Sequence, residues 1–316
     1  MSWVRPRVPL RRLAAASLAV LLAAVLGEWV VGREQALLRE QAAEVMRQAL
    51  GAVRQARITQ GLPFSPDDPA KTGIVGEEMS PLVTTLGSLR AKQLSADPAF
   101  GGIVVDLLRR AGVRKGDVIA VGLSGSLPGL NIAVLAAASA LDVEPIMVSS
   151  VGASQWGATD PRFTWLDMER AIREGGVMPF RSAAAAVGGG EGGAFLLEEG
   201  KGLAEAAVRR SGLPPVFGAA QVDVVERRMR VYLEQIGDRP IRAFVNVGGA
   251  SANVGRCDQS RIPPGLVRKL PPCGEEGQGV IHRFFSRGVP VIHLLQVQRL
   301  ARQAGVTLAG ERAAGG

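Results

Sequence analysis

The chain predicts an α/β fold, a mostly parallel sheet with helices on both faces, preceded by one N-terminal transmembrane helix. Three observations carry this. Continuously apolar runs such as Val118–Val121 lack the alternation of a half-solvated strand, so they belong to a sheet covered on both faces. Helical patterns separate these runs in regular alternation, as parallel crossovers require. An uncharged apolar stretch also lies at the extreme N-terminus, with arginines on its upstream side.

Residues 1–12 form a basic tail carrying Arg5, Arg7, Arg11 and Arg12. Leu13–Val31 comes close to the roughly 20 apolar residues that a membrane-crossing helix needs, with Trp29 at its far edge. The upstream arginines place the N-terminus in the cytoplasm and the rest of the chain outside the cell membrane, a single-pass topology. No small-x-small cleavage site follows Ala24, which favours an uncleaved anchor over a signal peptide. Residues 32–60 read as a helical stalk: Leu37, Leu38, Ala42, Val45, Met46, Ala49 and Val53 fall near helical spacing. Their stripe has two possible destinations, a partner helix or the chain's own domain, and the second is the simpler. A Pro/Asp/Gly-rich linker at 61–72 leads into an extracytoplasmic α/β domain at 73–310.

Within that domain a helix is expected over 97–111, starting at Asp97-Pro98 and stopping before Gly112. A strand at 118–121, a helix at 129–141 and a strand at 145–150 follow. Next come a helix at 164–174, a short strand near 180–187, and helices at 198–211 and 221–236 around a Pro-Pro turn. Strands at 241–247 and 289–295 and a helix at 296–304 complete the pattern. In sheets of this kind ligands bind beyond the carboxyl ends of the strands.

Composition narrows the function. The 316 residues are 47% hydrophobic with a net charge of +8. Beyond the basic tail the arginines are scattered among acids, with no basic run interleaved with aromatics, so nucleic acid is not an expected partner. Two histidines and two cysteines without metal-ligand spacing give no expected metal site. No cofactor is expected. Cys257 and Cys273, both beyond the anchor, could close a short loop in an oxidising compartment.

The candidate chemistry lies in loops at strand ends. Residues 122–131 run from a strand through a Gly/Ser turn into a helix, offering Gly122, Ser124, Gly125, Ser126 and Asn131. Backbone N–H groups at a helix N-terminus suit a carboxylate or phosphate, and the plain alternative is a capped turn. The loop lacks the Gly-Lys-Ser/Thr ending of a P-loop and the Gly-x-Ser-x-Gly spacing of a nucleophile elbow. "NVGGASANVG" repeats the logic with Asn246, Gly248, Gly249, Ser251 and Asn253. The polar segment 149–169 adds Ser154, Gln155, Trp156 and Asp167, the last an acid within a helix that solvation alone would explain. Residues 76–95 supply Thr84, Thr85, Ser88 and Lys92; lysine is scarce here, so Lys92 among hydroxyls is a candidate anion ligand or serine-activating base. His293 ends a buried strand, where a satisfied core histidine is the default and a catalytic base the alternative.

Together, "GIVGEEMSPLVTTLGSLRAKQLSADP", "DVIAVGLSGSLPGLNIAVL", "SSVGASQWGATDPRFTWLDME", "FVNVGGASANVG" and "GVPVIHLLQVQRLA" resemble the poly-γ-glutamate system proteins, and in order they span most of residues 73–303. The resemblance implies a membrane-anchored accessory protein of poly-γ-glutamate synthesis, export or processing. Its partners would be the membrane subunits of the synthase or exporter and the anionic polymer itself. It supplies no catalytic assignment. The residues favour a carboxylate-rich ligand held through the Gly/Ser loops. The alternative from another class is a serine-dependent amidohydrolase or transpeptidase acting on γ-glutamyl bonds, with Ser124 or Ser126 as nucleophile, Lys92 or His293 as base, and neighbouring amides as oxyanion hole.

Overall fold

The computed structural model describes residues 10–190 and 193–306. Helix α1 (Leu10–Thr59) runs through both the expected anchor and the expected stalk. Most side chains of 13–31 lie outside the described residues, and among the described residues no helix is long and apolar enough to cross a membrane. The second half of α1 is a core element. Ala42, Met46, Ala49 and Val53 are fully buried on one stripe. They pack against α3 (Ala99–Arg110), α4 (Pro128–Leu141) and α5 (Trp165–Glu174). Gly101 makes the α1–α3 approach possible, because a Cβ there would lie 2.7 Å from the Ala42 carbonyl oxygen. At the end of α1, Arg57 is buried, stacks over Phe163, and pairs with Asp160 at 3.0 Å, tying the helix to the long loop before α5.

The sheet behind these helices has six strands: β2 (Val118–Ser124), β3 (Glu144–Ser150), β5 (Ala184–Ala186), β6 (Ile241–Val247), β7 (Gly265–Val267) and β8 (Val291–Leu294). Their spatial order is β5-β3-β2-β6-β8-β7, all parallel except β7, which runs antiparallel along the β8 edge. The chain starts at β2, winds outward through β3 to β5, and returns to β6 on the other side of β2. The winding direction therefore reverses between β2 and β6, leaving a crevice at their carboxyl ends.

Both sheet faces are buried, and the alternation of side chains divides two cores. Ile119, Val121 and Leu123 of β2 face the layer of α1, α3, α4 and α5. Val118 and Ala120 face the opposite layer, α7 (Gln221–Ile236) and α9 (Val280–Ser286). There Tyr232, Phe244 and Phe284 form an aromatic cluster. Helix α6 (Glu198–Ser211) links β5 to α7.

The structure adds elements that the sequence reading did not contain. A two-stranded parallel ribbon pairs β1 (Val83–Thr85) with β4 (Ala153–Ser154). The short helices α2 (Leu89–Ser95), α8 (Ser251–Val254) and α9 and the antiparallel β7 are likewise new, whereas α10 (Val297–Gln303) is the helix expected at 296–304. Cys257 and Cys273 are joined, closing the segment that carries β7.

Candidate functional site

A cleft of about 560 Å³ opens at the carboxyl ends of the central strands, where the winding reverses. One wall is the β1–α2 segment with Thr84, Thr85, Ser88 and Lys92. The floor is Ser124, Ser126, Ser150 and Ser154 from the ends of β2, β3 and β4. The glycine turn 188–190 and the segment 249–251 close the sides. Thus β2, β3, β5 and β6 each deliver a loop to one place, and the β1–β4 ribbon clamps the first wall onto the loop after β3.

Lys92 dominates the electrostatics. The residue is only 4% exposed. Its Nζ donates to the Ser126 carbonyl oxygen and, at 2.6 Å, to Ser154 Oγ. No carboxylate among the described residues pairs with it. Burial of an ammonium without a counterion disfavours the charged form, and its pKa is pushed down to about 7. Lys92 therefore stands between a bound cation and a neutral base at physiological pH.

The hydroxyls around it are connected. Ser126 Oγ accepts from the Ser154 N–H at 3.0 Å, and Ser124 Oγ accepts from the Ser126 N–H at 3.2 Å. Two backbone N–H groups of loop 122–131, expected to face a ligand, are taken up within the protein: Gly125 N–H donates to the Ser150 carbonyl and Ser126 N–H to Ser124 Oγ. The Asn131 side-chain amide donates to the Ser124 carbonyl. The first turn of α4 packs on α2, so closely that a Cβ on Gly129 would sit 2.3 Å from the Ser95 carbonyl oxygen. This loop brings hydroxyls to the cleft, while its helix N-terminus is covered by protein.

Several other expected residues support the cleft from outside its lining. Gln155 accepts from the Gly87 N–H at 3.1 Å, holding the β1 wall against the β4 loop, and Trp156 Nε1 donates to Asp67 at 2.9 Å, tying that loop to the segment 61–72. Asp167 accepts from the N–H and O–H of Thr164 at the start of α5 and pairs with Arg170 and Arg210, each at 2.7 Å. Gly122 lies under Asn253, whose Nδ2 would be 2.3 Å from a Cβ at that position. Gly248 adopts φ 87° and its N–H donates to the Leu294 carbonyl. Gly249 and Ser251 line the cleft itself.

A second polar layer lies beneath the floor. Asn246 Nδ2 lies 2.9 Å from His293 Nδ1, and burial pushes the His293 pKa down to about 4. His293 is 1% exposed and does not line the cleft. Arg228, buried on α7, donates to Ser150 Oγ at 2.7 Å and to Asn253 Oδ1 at 3.0 Å. Burial lowers the pKa of its guanidinium.

Ser150, Arg228, the glycine turn 188–190 and Phe195 are absent from the sequence-derived set. Ser150 ends a strand one residue before a glycine-containing loop, the same signal that marked Ser124. Arg228 sits at helical spacing with the buried Val224, Val225 and Tyr232, so it interrupts an apolar stripe in a readable way. Among the described residues no group of three or more His, Cys, Asp or Glu is placed to hold a metal. Comparison with protein-family models, with curated proteins and with solved structures finds no match.

Proposed function

We propose that the cleft binds a carboxylate-rich ligand, and that the protein is a membrane-anchored accessory factor for poly-γ-glutamate synthesis, export or processing, as its resemblance to the poly-γ-glutamate system proteins implies. One observation carries the ligand class: Lys92 is buried beside a hydroxyl-rich cleft and has no acidic partner among the described residues. A carboxylate entering the cleft supplies the missing counter-charge, and Ser and Thr hydroxyls along the walls supply further donors. A carboxylate chain passing through the cleft would meet Thr85 and Ser88 on one side and Ser251 on the other.

The anchor is residues 13–31, with the N-terminus in the cytoplasm and the α/β body outside. The Cys257–Cys273 pair supports that side of the membrane, because such bonds persist in oxidising compartments. Membrane subunits of the polymer synthase or exporter are the partners this placement implies.

The test is equilibrium binding of poly-γ-glutamate to the full-length protein in detergent, with a neutral polysaccharide as control. Binding is expected to be strongest below about pH 7, where Lys92 carries its proton, and to weaken above it. Lys92→Met should weaken it about tenfold or more, the scale of a charge-assisted hydrogen bond. Equal binding of the neutral polymer, or full binding by Lys92→Met, would reject the reading.

A further inference from the structure

We propose that the same cleft cleaves amide bonds of its ligand through an ester formed on Ser154, with Lys92 as the proton carrier. This rests on the carboxylate-polymer reading only for the identity of the substrate, a γ-glutamyl amide. The nucleophile is assigned by geometry. Four serines form the cleft floor, and each hydroxyl has a different neighbour. Ser150 Oγ accepts from Arg228, a guanidinium that does not deprotonate and so cannot take up a proton. Ser124 Oγ accepts from a backbone N–H, and so does Ser126 Oγ. Lys92 reaches Ser126 at its carbonyl oxygen, away from the hydroxyl. Ser154 alone among them has a titratable amine at its Oγ, 2.6 Å away.

Among the described residues no carboxylate stands beside Nζ, and this matters for the role. A lysine in an ion pair keeps its proton, whereas a buried one held by a carbonyl and a hydroxyl can lose it near neutrality. In the neutral form Nζ accepts the Ser154 proton as Oγ attacks the amide carbonyl carbon. The C–N bond then breaks, the leaving amine takes the proton from Nζ, and the acyl group remains as an ester on Ser154. Water attacks the ester carbonyl, giving a proton to Nζ. The C–O bond to Ser154 breaks and Oγ recovers that proton. The sum is amide plus water to carboxylic acid plus amine. Ser124, whose oxygen already accepts from Ser126 N–H, keeps its own hydroxyl proton available for the oxygen anion that develops on the carbonyl.

Binding and cleavage demand opposite states of Lys92, so their pH profiles run in opposite directions. Carboxylate binding wants the ammonium and fades as pH rises through about 7; attack by Ser154 wants the amine and grows over the same interval. The experiment treats full-length protein with a fluorophosphonate probe, locates the label by peptide mass spectrometry, and measures poly-γ-glutamate chain length in parallel. Label is expected on Ser154, increasing as pH rises through about 7, and lost in Ser154→Ala and Lys92→Met. Shortening of the polymer should follow the same variants, while Ser154→Ala retains its melting temperature. Label on Ser124 or Ser126 would overturn the assignment. So would an unlabelled Ser154 with unchanged polymer length, even where binding persists. Labelled Ser154 without polymer binding would keep the nucleophile and reject the polymer as substrate.

Discussion

Lys92 lowers the stability of the fold for as long as it must be protonated. An unfolded lysine titrates near about 10.4, and the folded one is pushed down to about 7 by burial. Between those values the unfolded chain holds a proton that the folded chain does not. Stability contributed at this position therefore rises with pH across that window and is lowest at and below its acid end. Two hydrogen bonds, to the Ser126 carbonyl and Ser154 Oγ, offset part of the cost. Lys92→Met should consequently be more stable than the wild type at about pH 6, by an amount on the order of a few kcal/mol, with the gap largely closed by about pH 9.5. Denaturant titration at several pH values measures the difference directly. A gap that does not change with pH would mean that the ammonium keeps its solvation in the folded protein. A variant that gains stability while losing ligand binding is the signature expected of a residue placed for chemistry rather than for packing.

At the scale of elements, α1 shows what periodicity can and cannot tell. The spacing of Ala42, Met46, Ala49 and Val53 announces an amphipathic helix, but a stripe does not name the surface that covers it. The structure lays it on α3, α4 and α5. Met46→Ala should therefore destabilise the domain by about 2–5 kcal/mol, the range for truncating a buried methionine. Leu37→Ala, on the same helix at 63% exposure, should change stability by no more than about 0.5 kcal/mol. Thermal unfolding of both variants checks this, and an unaffected Met46→Ala would return α1 to the role of a free stalk. The long helices and five of the parallel strands were legible because each carries a full period of apolar residues bounded by Gly, Pro or Asp. The strands β1 and β4 were not, since three residues and two residues are too few to show alternation. The site divides in the same way. Lys92 was conspicuous by its rarity among hydroxyls. Its contact with Ser154, 62 residues along the chain, exists only because β1 and β4 pair. That pairing also explains why Ser154 appeared in the sequence as one polar loop residue among many, and why Ser124 and Ser126 drew attention first.

The whole molecule is a doubly wound sheet whose cleft takes its walls from distant parts of the chain, from Thr84 to Gln298. Such a site depends on the relative placement of its walls more than on any one loop. The least supported wall is the one after β6, where α8 has only four residues and the chain then leaves the sheet as far as β7. The Cys257–Cys273 bond closes that excursion, and Gln259, inside the closed segment, reaches the cleft. Closing a loop of this size restricts the unfolded chain and is worth about 3 kcal/mol. Replacing both cysteines by serine should lower stability by about that amount and weaken ligand binding through the loosened Gln259 wall, with Lys92 and Ser154 left in place. The same bond tests the topology. In intact cells a membrane-impermeant maleimide should fail to label the native protein, then label it after an impermeant reductant has opened the pair. Labelling only after the cells are lysed would put the body on the cytoplasmic side and remove the external polymer as its ligand. Thiols free without any reductant would show that the pair does not form, and the support it gives to an oxidising compartment would go with it.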